Sequence, residues 1–136
     1  MAIPQPVGAY RPGVKDIADS ILAARVVGRL AVYAARASAL VARRHVLAVG
    51  TGEDLSAFAA RVGRLRQWGD KGRWRRRGVL ALAEAGQLDA AAIEAAAQAR
   101  FAGIALPQAT GVAGELIDRA NRRGLFVVAP APGQRN

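Results

Sequence analysis

Residues 11–44 read as one long helix whose two faces differ in kind. At helical spacing, Arg11, Lys15, Arg25, Arg29, Arg36, Arg43 and Arg44 fall on a single arc of about 100°. The opposite face is largely alanine: Ala23, Ala24, Ala31, Ala34, Ala35 and Ala42. Pro12 suits the first turn of such a helix. Gly28 is a point where it can bend, and Gly50-Thr51-Gly52 closes the segment after a strand-like stretch at His45–Val49.

The rest of the pattern predicts four short helices. Thr51, with Asp54 three residues on, resembles a capping box, so a second helix starts at Gly52 or Glu53, carries Leu55, Phe58, Val62 and Leu65 inward, and stops at Gly69. The third spans about Arg73–Ala85, with Val79 and Leu82 as core positions and Gly86 closing it. Asp89 caps the fourth, which buries Ile93, Ala97 and Phe101. The fifth runs over about Gly111–Arg123, buries Val112, Leu116 and Ile117, and ends at Gly124. Leu125–Val128 is a short apolar extended piece. The expected fold class is all-α: a basic N-terminal arm over 1–50, a compact helical bundle over 51–128 and a flexible Pro/Gly-rich tail over 129–136. The arm, with little surface to bury on its own, is expected to order only on a partner.

Charge sharpens this division. Of the formal net charge of +10, all lies in residues 1–77, which hold fifteen Lys/Arg against five Asp/Glu; residues 78–136 hold five of each. A basic half joined to a neutral, alanine-rich half reads as a binding part and a packing part. Eighteen of the twenty cations are arginine, whose guanidinium fork takes phosphate oxygens two at a time. A membrane-surface helix needs bulky apolar residues opposite its cations, and here there are mostly alanines. The longest uncharged internal run, Phe101–Gly114, is too short to span a bilayer. No secretory leader is expected.

A second basic cluster holds Arg61, Arg64, Arg66, Lys71, Arg73, Arg75, Arg76 and Arg77, opposed only by Asp70. Trp68 and Trp74 within it can stack on bases, although two indoles at a helix–helix turn more simply anchor a core. Arg61, Arg64, Arg73, Arg75, Arg76 and Arg77 join the arm cations as expected phosphate contacts, which position a nucleic acid without reading its bases.

Candidate catalytic chemistry is sparse. The absence of cysteine excludes disulfides, thiolate metal sites and cysteine nucleophiles, and the one histidine, His45, has nothing around which to assemble a zinc site or a relay. Gly50-x-Gly52 lacks the third glycine of a dinucleotide fingerprint, and no Gly-Lys-Ser/Thr follows it. Glu115 and Asp118, flanked by Arg119, Arg122 and Arg123, read as an ion-pairing helix face. No enzyme activity, cofactor or metal is expected.

A cationic helical arm (Arg11–Arg44) followed by a bundle (Glu53–Arg123), with the hinge Ala105-Leu106-Pro107 leading into Glu115-Leu116-Ile117-Asp118, resembles the major coat proteins of filamentous and rod-shaped archaeal DNA viruses. The resemblance is one of layout, length and charge. It implies a structural subunit that wraps double-stranded DNA in the A form without sequence preference. It also implies dimers of identical or sister chains in a helical virion, assembled in the host cytoplasm. Two alternatives remain. One is a winged-helix regulator over residues 74–128, with Asn121-Arg122-Arg123-Gly124-Leu125 ending its recognition helix and Phe126–Val128 as the wing. The other is a basic RNA- or ribosome-associated protein.

Overall fold

The computed structural model describes residues 4–69 and 78–130. It overturns the all-α expectation: a six-stranded mixed sheet forms the centre, with helices on both faces. In chain order the elements are β1 (Pro4–Pro6), α1 (Val14–Leu30), β2 (Ser38–Ala42), β3 (His45–Gly50) and α2 (Leu55–Gly69). They continue as β4 (Val79–Leu82), α3 (Ala90–Gln98), β5 (Gly103–Ala105), α4 (Gly114–Arg122) and β6 (Phe126–Pro130). A single 3-10 turn, Ala85–Gln87, precedes α3.

The strand order is β1-β6-β5-β4-β2-β3. β4, β5 and β6 are mutually parallel, and β2 runs antiparallel to both β4 and β3. β3 therefore points the same way as β4, and β2 is inserted backwards between them. Each of α2, α3 and α4 joins two strands of one direction, and all three pack on the same face. There Leu55, Phe58, Ile93, Ala96 and Ala120 meet Leu40, Leu80, Ile104 and Val127. α1 covers the other face, pressing Ala23 and Val27 against Ala39, Val41, Val79 and Ala81.

The sequence segment read as an arm is thus part of the core layers. α1 exists, but it starts at Val14, with Pro12 ahead of the N-cap Gly13, whose N–H is accepted by Asp16 Oδ2 at 3.2 Å. It ends at Leu30, and the chain turns through Ala31–Ala37 into the sheet. Ser38–Ala42 is buried at every position, since one side of β2 faces α1 and the other faces α2. A strand covered on both faces shows no alternation of polar and apolar residues, so its short apolar run imitates a piece of buried helix. The same holds for Val79–Leu82, expected inside a helix and found as a strand buried at all four positions. That strand also removes the helix–helix–helix–wing succession required of a winged helix over 74–128.

Three later expectations match the structure. Asp89 caps α3 by accepting the Ala92 N–H at 2.8 Å. Gly124, with φ +72°, terminates α4. Residues 126–128 are extended, within β6. The segments 70–77 and 131–136 lie outside the described residues, and with them the C-terminal part of the second basic cluster, Lys71 to Arg77, and most of the proposed tail.

Candidate nucleic-acid interface

The register across the sheet puts Val46, Val41, Val79, Gly103 and Phe126 in one row, near the starts of the parallel strands. The connections just outside that row carry arginine after arginine. Arg43 and Arg44 form the turn between β2 and β3, Arg100 precedes β5, and Arg122 and Arg123 precede β6. Arg64 lies in α2 next to Gly63, whose α-carbon packs against Ala99 beside Arg100. The chain after β1 is drawn to the same end, where Ala9 donates its N–H to Asn121 Oδ1 at 2.8 Å, two residues before Arg11. Lys15 sits one helical turn before Asp19, which holds the Arg43–Arg44 turn.

These eight cations, Arg11, Lys15, Arg43, Arg44, Arg64, Arg100, Arg122 and Arg123, are all exposed. Among the described residues, all but Arg123 lack an ion-pair partner. The two acids of α1 nearest to them are engaged by backbone donors, while Asp118 on α4 is exposed. Asp19 is buried and accepts the backbone N–H groups of Arg44 at 2.8 Å and Arg43 at 3.1 Å, and Asp16 bonds the Gly13 N–H. The opposite edge has the reverse character. Glu53 and Asp54 follow β3, Glu84 follows β4, and Asp89 and Glu115 stand at the starts of α3 and α4. Part of this polarity is helix chemistry, since acids suit helix N-termini and cations suit C-termini. That accounts for Arg122 and Arg123 at the end of α4.

It does not account for the turns. Among the described residues, four non-glycine positions have positive φ, and all four are arginines: Arg36, Arg43, Arg44 and Arg100. A left-handed backbone costs a non-glycine residue roughly 1–2 kcal/mol, and a two-residue hairpin of this kind favours Asn-Gly. Three of the four, Arg43, Arg44 and Arg100, lie on the basic edge. Their placement costs stability and presents guanidinium groups to solvent.

The remaining expected contacts are distributed elsewhere. Arg25 and Arg29 are exposed on α1, as the helical stripe predicted, but further along it toward the acidic edge. Arg36 is at that edge and pairs with Asp54 at 3.1 Å. Arg61 pairs with Glu53 at 2.7 Å and lies over the Phe58 ring, 5.3 Å from its centre. Arg73, Arg75, Arg76 and Arg77, with Trp74, fall outside the described residues. Arg100 and Arg122 are not among the expected phosphate contacts; for Arg100 the available signal is an arginine just past a helix end, where glycine is usual. Arg119 and Arg123, expected to pair with Glu115 and Asp118, make a different contact. They reach across to Glu94 on α3, at 3.6 and 3.4 Å.

Gly50 and Gly52 do lie between a strand and a helix, but they serve packing. A side chain on Gly50 would meet Phe58, Glu53 and Ser38 at under 3.0 Å, and Gly52, at φ +77°, donates its N–H to the Ala35 carbonyl. A cleft of about 520 Å³ opens at the acidic edge between α1 and the ends of β4 and β5, lined by small residues, and Glu84 is its one charged wall. Among the described residues no cluster of His, Asp or Glu could hold a metal, and no helix is long and apolar enough to cross a membrane. Compared with known proteins, the sequence matches no family model and no curated protein.

Proposed function

We propose that this chain is a structural nucleic-acid-binding protein that holds double-stranded DNA by its phosphates, without reading base sequence, through the basic edge of the sheet. The observation that carries the proposal is the run of arginines at left-handed turn positions, Arg43, Arg44 and Arg100, where the backbone favours glycine or asparagine. Backbone strain retained at a surface that needs no such side chain for folding is a mark of a functional site. Guanidinium groups on loops at one edge suit contacts to phosphate oxygens, and the one buried acid there, Asp19, is spent on backbone N–H groups, so cations outnumber exposed acids at this edge. The reading of the chain as a virion coat protein drew on an arm-and-bundle layout that the sheet replaces. What carries over from it is the phosphate-contact binding of duplex in a structural role.

The test is a titration of random-sequence duplex at several salt concentrations. The seven unpaired edge cations should give a slope of log K against log salt of about −6 if all are engaged. Arg43→Glu with Arg44→Glu should weaken binding by on the order of a hundredfold at physiological salt. Unchanged affinity in that variant removes the edge from the argument. Tighter binding to structured or single-stranded RNA than to duplex DNA transfers the proposal to RNA.

A further inference from the structure

The two edges of the sheet are built differently. β1 is three residues long, and Pro4 and Pro6 deprive it of two N–H donors. β3, at the other edge, is six residues long and contains no proline and no Lys, Arg, Asp or Glu. Natural edge strands usually carry such residues as protection against pairing, so an apolar edge without them is an association site.

The exposed apolar surface gathers there. Val46 and Val49 pair with Val41 and Ala39, both of which face the α1 layer, so the two valines stand on that same face. α1 lies chiefly over β2, β4 and β5 and leaves each of them 45% exposed. Leu47 is the extra residue of a bulge, since Leu40 pairs with Ala48 and Val41 with Val46. The loop bearing exposed Val32 and Tyr33 is tied to the end of β3 by the Gly52 N–H to Ala35 carbonyl bond and by the Arg36–Asp54 pair.

Charge along β3 is also ordered: Arg43 and Arg44 precede it, and Glu53 and Asp54 follow it. A second copy laid antiparallel reverses that order, so the cationic end of each strand comes to the acidic end of the other. We infer that β3 is a dimerisation strand through which two copies of this chain pair antiparallel, related by a two-fold axis normal to the sheet and passing between Leu47 and Ala48. This register sets Val46 opposite the partner's Val49 and bulge opposite bulge, so neither extra residue breaks the new ladder. Arg44 and Arg43 come beside the partner's Thr51 and the partner's Gly52, next to its acidic pair. The interface is isologous, as a closed two-fold dimer requires. The inference does not depend on the nucleic-acid reading, and its test contains no nucleic acid.

Sedimentation equilibrium of the full chain at micromolar concentration should return twice the 14.2 kDa chain mass. Val46→Lys with Val49→Lys should halve that mass while leaving the circular dichroism spectrum intact, because both side chains are already half in water. Val46→Cys with Val49→Cys, in a chain that has no cysteine of its own, should give a disulfide-linked dimer on mild oxidation. A lone Gln98→Cys control, exposed on α3 and outside the β3 edge, should not. The cysteine variant decides alone if the lysine variant does not fold. A monomeric parent chain, a dimer that survives the lysine pair, cross-linking no faster than the control, or association only with a different polypeptide would each overturn the inference.

Discussion

Asp19 Oδ1 accepts the backbone N–H of Arg44 at 2.8 Å, so a buried acid on α1 sets the position of a surface turn on the sheet. Its second oxygen takes the neighbouring Arg43 N–H at 3.1 Å. One carboxylate thereby ties the α1 layer to the β2–β3 turn. It also satisfies two donors that a two-residue turn leaves without other partners. Asp19→Ala should lower stability by about 2 kcal/mol, the cost of leaving two part-buried donors without their acceptor. Asp19→Asn, which keeps one acceptor, should lose less. Urea unfolding of both variants, with unchanged slope against denaturant, checks the ordering.

Stability and binding should part company at the turn itself. Arg43→Asn with Arg44→Gly places residues that tolerate left-handed backbone at φ 52° and 65°. The double variant should gain about 1 kcal/mol of stability by relieving that strain. It should also bind duplex DNA more weakly, since two edge cations are gone. A variant that is both less stable and equally tight in binding contradicts both halves of this expectation.

The edge and the α1 stripe make different demands on the salt response. Arg100→Glu with Arg122→Glu should reduce the magnitude of the salt slope by about two, because two phosphate contacts are lost. Arg29→Glu with Arg36→Glu should change it far less, although the helical stripe counts both as phosphate contacts. Arg36 is already engaged with Asp54, at the other end of the sheet. Salt titrations of the two double variants side by side settle which surface meets the polyanion.

Gly103 lies close against β6. A Cβ there would come within 2.5 Å of three ring carbons of Phe126, its register partner. Gly103→Ala should destabilise the fold by about 2–3 kcal/mol through overpacking, and Phe126→Leu should restore part of the loss by vacating the ring. A non-additive double-mutant cycle, read by thermal or urea unfolding, is the expected outcome.

The helical elements were largely legible in the sequence because their ends carry local chemistry. The Asp89 cap and Gly124 each act within one turn of the helix end they mark, whereas Pro12, expected in a first turn, stands just ahead of the N-cap Gly13. The strands were not. Ser38–Ala42 and Val79–Leu82 are covered on both faces, so neither shows the alternation that distinguishes a strand. Alanine-rich strands of this length satisfy a helical wheel equally well, which is why a stripe drawn over 11–44 took in Arg36, Arg43 and Arg44 after the helix had ended at Leu30. The basic edge was beyond reach for another reason. Arg43, Arg100 and Arg122 are distant in sequence and come to one end only through the register of four strands.

Pro4 and Pro6 bear on how far assembly can go. A sheet extended across β3 would present β1 at each outer margin, and that margin offers an incoming strand few donors. Growth by strand addition would therefore halt at a pair instead of running on into a fibre. If the chain does gather on a polyanion as proposed, these two prolines give the pair a built-in stop.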